Sequence, residues 1–595
     1  MLARLFATKR LDDILGAAGH AHSSMKRSLG PVSVTLLGIG AIIGTGIYAT
    51  IGTATAGDAM RPGAGPSLML SFLITAVVCG FTALCYAEFA SLVPVSGSAY
   101  TYAYATLGEL VAWIIGWDLI IEYGIGNVSV SISWAGYFHS LLADLGIHFP
   151  DWLANDFRTA RNLLATDPAR YETTFGGAPT VFGVPVIFNV LAFGITMAIT
   201  GLLVWGIKES ARFNAMMVIL KVGVLIFFVI LGLWLVPFPT MAENWRPYQP
   251  NGWHGTLAGA AVVFFAYIGF DAVSTVAEET KRPGRDLPIG ILASLAICTV
   301  FYVIIAAVFS GMIPYPEVVA RPDERAESLT MALKYVAPGA VWPRVVVGFG
   351  SVVAQTAVLL VFLMGQPRIF FSMARDGLLP PVFARLHPTF RTPYVTTILT
   401  GLVVAILSGV ASIDEMVDLT NIGTLFAFVL VCVGIPILRY LEPDRARTFR
   451  VPFGPFPLPT LGALACLFLM YYLPPSSWWR FVGWLVLGLA VYASYGYVHS
   501  EIGKAAGRPR RASPSLIGSS IGFVTAAVGL WVVPHDLGPS AFRRVLVEGV
   551  AGMEQWRVAM GSPMVVAGLA VGVVGLLKGL GEHVPPVAGG HFDSD

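Results

Sequence analysis

Apolar residues in this chain run in long, nearly unbroken stretches. Seven lie near 32–56, 66–92, 107–141, 183–206, 210–237, 254–278 and 288–312, and seven more near 342–374, 393–411, 415–439, 456–473, 480–499, 514–534 and 560–580. A helix crossing a bilayer needs about 20 mainly apolar residues, so the pattern predicts an all-α polytopic membrane protein of about 14 transmembrane helices. Membrane β-barrels would instead show strands of about ten residues with alternating polarity, which these runs exclude.

Composition sharpens the picture. Of the 595 residues, 56% are hydrophobic and 12% charged, against about 25% charged in a soluble domain. So little charge cannot coat a water-facing surface, and the lipid bilayer is the expected solvent. The formal net charge of +2 gives no basis for a nucleic acid partner. Cys79, Cys85, Cys298, Cys432 and Cys466 all sit inside apolar runs, without the spacing of a metal or disulfide framework. No HExxH cluster and no GxxxxGK[ST] phosphate loop occurs, so the sequence supports neither a metal, nor a cofactor, nor ATP-driven transport. It holds no nucleophile–base constellation either, and an enzyme is not expected.

Residues 1–31 lack a sustained apolar core and carry Arg4, Lys9, Arg10, Lys26 and Arg27. They read as a cytoplasmic tail ahead of a retained first span, with a short amphipathic helix over 8–17. With that end inside, the cytoplasmic tails and loops hold the larger share of the 37 Lys and Arg residues, as the positive-inside bias requires. An even helix count returns the tail at 581–595 to the same side. Glu88, Glu278, Glu279, Lys281, Arg282, Arg285, Arg368 and Arg375 fall at cytoplasmic helix ends. Solvation there is favoured over salt bridges at an inner gate.

Two spans share an anomaly. The first contains GAIIGTGIYA at 40–49 and the sixth FFAYIGFDAV at 264–273. Mid-helix glycine costs about 1 kcal/mol relative to alanine, so Gly40, Gly44 and Gly46 together argue for local unwinding. Close packing through small residues is the competing reading, since Gly40 and Gly44 have GxxxG spacing. The two breaks occupy matching places if 32–237 (helices 1–5) and 254–439 (helices 6–10) are two halves. Paired interruptions of that kind point to a transporter's midplane site. Helices 11–12 would then span 456–499, and an additional pair 514–580.

From Leu29 to Tyr497 the chain resembles the amino acid–polyamine–organocation superfamily, and within it the cationic amino acid transporter family. The resemblance rests on GIGAIIGTGIYA at 38–49, PVSGSAYTYAY at 94–104, GELVAWIIGWDLIIEY at 108–123 and ESARFNAMMVILK at 209–221. It continues through FFAYIGFDAVSTVAEE at 264–279, RPGRDLPIGI at 282–291, GQPRIFFSMARDGLLP at 365–380, TPYV at 392–395, IGTLFAFVLV at 422–431 and FRVPFGP at 449–455. It implies a five-plus-five inverted-repeat fold with broken helices one and six, and alternating access around a site between them. It further implies proton-coupled amino acid symport, as in bacterial relatives, and the short loops fit a bacterial inner membrane. The last two helices lie outside the shared core.

The break in helix one frees backbone N–H groups at a half-helix N-terminus, a natural seat for an amino acid carboxylate. Ile43, Gly44, Thr45 and Gly46 would supply those donors, and the carbonyls of Phe264, Phe265 and Tyr267 would accept from the substrate ammonium. Lys221 lies about 16 Å into its helix, near the midplane of a hydrocarbon core about 30 Å thick. A lysine there is able to gain and lose a proton. The resemblance implies that its protonation replaces the sodium ion of sodium-coupled relatives; a structural lysine paired with a carbonyl or carboxylate is the alternative. Glu122 shares a helix face with Asp118 and is read either as a cation- or proton-binding acid or as a packing lock. Asp271 follows the second break, as a cap or in proton coupling. By resemblance Phe265 gates the substrate. Gln355 either tunes selectivity or bonds helix to helix. Proton symport of an amino acid is the first functional reading; an amino acid or polyamine exchanger and a non-transporting receptor are the others.

Overall fold

A helix surrounded by lipid keeps its backbone hydrogen bonds within itself, and most of this chain obeys that rule. The computed structural model describes residues 7–9, 29–58, 61–93, 98–181, 184–206, 211–390, 392–505, 513–532 and 553–582. The amphipathic helix expected over 8–17 and the tail expected over 581–595 fall almost wholly outside them.

The long helices are α1 (Pro31–Ile42), α2 (Thr45–Ala56), α3 (Leu68–Leu92), α4 (Glu109–Asp144), α5 (Val190–Trp205) and α6 (Ala211–Leu235). After them come α7 (Gly252–Val263), α8 (Pro283–Met312), α9 (Val341–Arg375), α10 (Tyr394–Val410) and α11 (Ile413–Leu441). The series closes with α12 (Pro457–Tyr471), α13 (Pro475–Val491), α14 (Pro514–Val532) and α15 (Met553–Glu582). Among the described residues, 8 helices are long and apolar enough to cross a membrane, or 9 with α1 and α2 taken as one bent span. Five shorter apolar helices fill the other places where the sequence predicts spans. The chain is thus a mostly helical, polytopic membrane protein.

Several helix pairs five spans apart pack on one another, beside other close pairs such as α11 on α4 and α8 on α1. α3 packs on α8, α4 on α9 and α5 on α10, while α2 packs on α7 and on the turn that follows it. Each partner is the fifth span after the other. Large side chains fill this interior, among them Trp113, Tyr48, Tyr86, Tyr267 and Tyr302.

Below, the end of the bundle where α1 begins is the near face, and the end where α2 finishes is the far face. On the near face, Glu88 corrects an expectation. Its side chain is buried rather than solvated, bonded by Arg439 Nη2 at 2.6 Å and by the Val451 N–H at 2.6 Å, with Arg447 Nε at 3.5 Å. A buried carboxylate needs such partners to offset its lost hydration, so Glu88 ties α3 to the end of α11.

The connection between α4 and α5 forms two short helices, Phe157–Thr166 and Pro168–Phe175, capped by Asp156 and Asp167. They close over a small apolar cluster of Ala160, Leu163, Phe175 and Ile187. α14 and α15 form a close pair in which glycines face backbone; Ser519 Oγ donates to the Gly572 carbonyl at 2.6 Å. The pair rests on α13 through Ser520, whose hydroxyl donates to the Ala490 carbonyl at 3.0 Å.

Candidate functional site

The first break is a bend of 41° between α1 and α2. Ile43 leaves the helical region with ψ of 97°, and α2 restarts at Thr45. Ending α1 in mid-membrane strands its last four carbonyls, and the fold answers with side chains from two other helices. Lys221 on α6, itself buried, donates through Nζ to the Gly40 carbonyl at 2.6 Å and the Ile43 carbonyl at 3.0 Å. Tyr302 on α8 places its hydroxyl 2.9 Å from the Ile42 carbonyl.

The same hydroxyl lies 2.9 Å from the Ala266 carbonyl, in the second break. There α7 ends at Val263 and a single 3-10 turn, Phe264–Tyr267, leads to a turn at Gly269 within the same span. Gly269 has φ of 120°, a conformation closed to most L residues, and a Cβ there would meet the Ala41 backbone at 2.9 Å. The Asp271 carboxylate accepts from the Gly269 N–H at 3.1 Å and so holds this turn. Asn421 on α11 donates to the carbonyls of Ala261 and Val262 at 2.8 and 3.2 Å. The two breaks touch: a Cβ on Gly46 would stand 2.2 Å from the Ala266 Cα.

Beside this contact lies a small cavity. Gly44, Thr45 and Gly46, at the first turn of α2, line it. Such a turn has N–H groups without intrahelical partners and a partial positive charge. Phe265 and Ile268 also line it, and Val358 and Phe362 of α9 add apolar lining. Glu122 is the acid lining the cavity. Its carboxyl faces Asp271 and the Thr424 hydroxyl, although neither Glu122 Oε1 nor Thr424 Oγ1 completes a hydrogen bond. The lining therefore combines the N-terminal turn of α2, an acid and apolar surface.

Of the residues singled out from the sequence, Gly44, Thr45, Gly46, Phe265 and Glu122 line the cavity. Ile43, Lys221 and Asp271 stand behind it in the two breaks. Phe264 and Tyr267 belong to the turn but not to the lining, and the Tyr267 hydroxyl donates to the Phe72 carbonyl on α3 at 3.0 Å. Gln355 also stands off the lining, accepting from the Thr45 hydroxyl at 3.2 Å. Asp118 is buried one turn from Glu122, with neither carboxyl oxygen hydrogen-bonded. Sequence reasoning missed Tyr302 and Asn421. Their one signal was a polar group within an apolar run.

The amino acid permease family matches residues 29–505. The branched-chain amino acid permease BcaP of Bacillus subtilis (strain 168) is 44% identical over 503 residues, 84% of this chain and 100% of the relative. The methylthioribose transporter of the same strain is 39% identical over the same shares. The vacuolar cationic amino acid transporter 4 of Arabidopsis thaliana is 34% identical over 446 residues, 74% of this chain and 68% of that one. With its bent first span, its second break and its apolar helices, the chain belongs to the amino acid permease family of the amino acid–polyamine–organocation superfamily, whose members are membrane transporters and not enzymes.

Proposed function

We propose that the protein imports amino acids by proton symport with alternating access, and that Lys221 is the proton carrier. The observation that carries this reading is the contact of Lys221 Nζ with the carbonyls of Gly40 and Ile43. A protonated amine has three donors and suits two carbonyls. After losing its proton to the cytoplasm it holds them less firmly, and α1 is free to move against α2. Outside, a new proton restores both bonds and remakes the site for the next amino acid. Asp271 and Glu122 respond to the same cycle, because they flank the second break and the cavity.

In this reading the amino acid carboxylate lies at the N-terminal turn of α2, where Gly44, Thr45 and Gly46 present backbone donors. The ammonium faces the carbonyls of the second break, and Phe265 closes over both. The wall of Val358, Phe362, Ile268 and Val130 suits an apolar side chain, in keeping with the relative named for branched-chain amino acids. Gln355 acts through Thr45, orienting its hydroxyl. The architecture is a five-plus-five repeat, 32–237 and 254–439, supported by the packing of spans on their fifth successors. Fourteen spans, with both termini cytoplasmic in a bacterial inner membrane, complete the proposal.

The test is reconstitution with an internal pH dye. Leucine added outside should acidify the lumen in step with its uptake, and arginine should compete poorly. Leucine uptake without proton movement would overturn the symport reading. Displacement of leucine by methylthioribose but by no amino acid would move the substrate to the class named for the second relative.

A further inference from the structure

Two acids stand on one face of α4. Glu122 lines the cavity, and Asp118 lies one turn nearer the start of the helix, off the lining. At a rise of 1.5 Å per residue, Asp118 is about 14 Å and Glu122 about 20 Å from Glu109, the near-face end of α4. Asp118 is wholly buried, and neither of its carboxyl oxygens has a hydrogen-bond partner. Glu122 Oε1 and the buried Thr424 hydroxyl are unpartnered as well, so four such oxygens gather where α4 meets α11. Across from Asp118 stands Gly423 of α11, where a Cβ would lie 2.9 Å from Asp118 Oδ1. The glycine is a notch that admits the carboxyl group.

An ionised carboxylate without partners is costly in apolar surroundings, and costlier still at membrane depth. Asp118 therefore carries a proton in this state. A neutral acid kept for packing alone would donate that proton to an acceptor, as buried polar groups generally do. Here the acid has no acceptor, yet an open one stands a turn away at Glu122, and residues four apart on a helix are neighbours. Beyond Glu122 come Asp271 at the second break and the phenols of Tyr86 and Tyr123. On the α11 side, Gly423 and Thr424 bring no charge.

We propose that Asp118 is a proton-binding site loaded and emptied through Glu122, so that each amino acid crosses with two protons, the second on Asp118. The site rests on the symport reading, with the far face outside, and deepens it. While the cavity is open to the far face, a proton joins the Glu122 carboxylate. It then passes to Asp118, one O–H bond breaking as the other forms, and Glu122 is again an anion beside the substrate. Off the lining, the proton is shielded from water while the cavity is closed. It leaves by the same route once the cavity opens to the near face. That opening waits on Lys221, so loss of Lys221 stops both protons, whereas loss of Asp118 stops one.

Accumulation of labelled leucine by proteoliposomes tests this, with the membrane potential clamped at zero and the outside one pH unit more acid than the lumen. Each coupled proton then supports about tenfold accumulation, so the wild type should reach about 100-fold and Asp118→Asn about tenfold. A wild-type plateau of about tenfold would overturn the second proton and leave symport standing. No accumulation at all in the wild type would overturn symport itself. Equal plateaus in the wild type and Asp118→Asn would overturn Asp118 as the carrier. A second readout does not need the variant to transport. Raising the pH of the wild type in lipid nanodiscs should remove an infrared band of a protonated carboxyl, and Asp118→Asn that still binds leucine should lack that band from the start. Persistence of the band in the variant would place the proton on another acid and overturn the proposal.

Discussion

The Nζ of Lys221 lies 2.6 Å from the carbonyl oxygen of Gly40, so the charge borne by α6 closes the broken backbone of α1. Backbone groups freed inside a membrane must find partners, and here the partner is a side chain that can release a proton. The need to satisfy the break and the proposed means of driving it are the same contact.

Tyr302→Phe should show how far the two breaks depend on one hydroxyl. The phenol oxygen lies 2.9 Å from both the Ile42 and the Ala266 carbonyl. Leaving buried acceptors without it costs about 1–3 kcal/mol and leaves the ring's packing intact. Thermal unfolding in detergent should drop accordingly, and uptake should fall with it; an unchanged midpoint would mean the carbonyls find other partners.

Gly46→Ala should abolish transport while a control glycine tolerates the same change. Its added methyl would stand 2.2 Å from the Ala266 Cα, whereas a Cβ at Gly194 meets nothing within 4 Å. The first substitution forces two backbones apart, and leucine uptake should fall at least tenfold, on the order of the 1–3 kcal/mol that overpacking costs. Gly194→Ala should leave uptake within about twofold, helped by the better helix propensity of alanine. Equal effects at both positions would contradict a close approach of the breaks.

The loop helices between α4 and α5 should respond to pH. Burial pushes the Asp156 carboxyl up from its ordinary 3.8 to about 6, against the bonds from the Thr159 N–H and hydroxyl, which pull it down. The folded loop therefore binds a proton that the unfolded loop has already lost. Its contribution to stability is complete below about pH 3.8 and is lost as pH rises through about 6. Limited proteolysis of the loop should be slowest near pH 4 and quicken by pH 7. Asp156→Asn, which keeps the cap without the charge, should flatten that dependence. Asp156→Ala should weaken the cap by about 1 kcal/mol.

The sequence carried some of these features openly and hid others, for physical reasons. Gly40, Gly44 and Gly46 stand out because glycine is costly within a helix, and Lys221 because a charge in an apolar run is rare. Glu122 was legible on the same ground. Tyr302 and Asn421 were not: each lies in a plain helix, and the carbonyls they hold are freed only by breaks far away in sequence. Gln355 was ambiguous because an amide in a helix serves a cavity or a neighbour equally well, and its bond from Thr45 is a matter of packing. Glu88 looked solvated because burial at a helix end depends on Arg439 and Arg447, which follow more than 300 residues later. The loop helices carry cap residues, Asp156 and Asp167, but too little apolar surface for hydropathy to detect them.

The most direct test of the central claim is uptake of labelled leucine into proteoliposomes with and without an inward proton gradient, for the wild type and Lys221→Ala. Proton symport through Lys221 requires uptake driven by the gradient in the wild type and at least tenfold slower in the variant, with the gradient no longer having any effect. Uptake that ignores the gradient, needs amino acid inside and survives Lys221→Ala would contradict it and identify an exchanger.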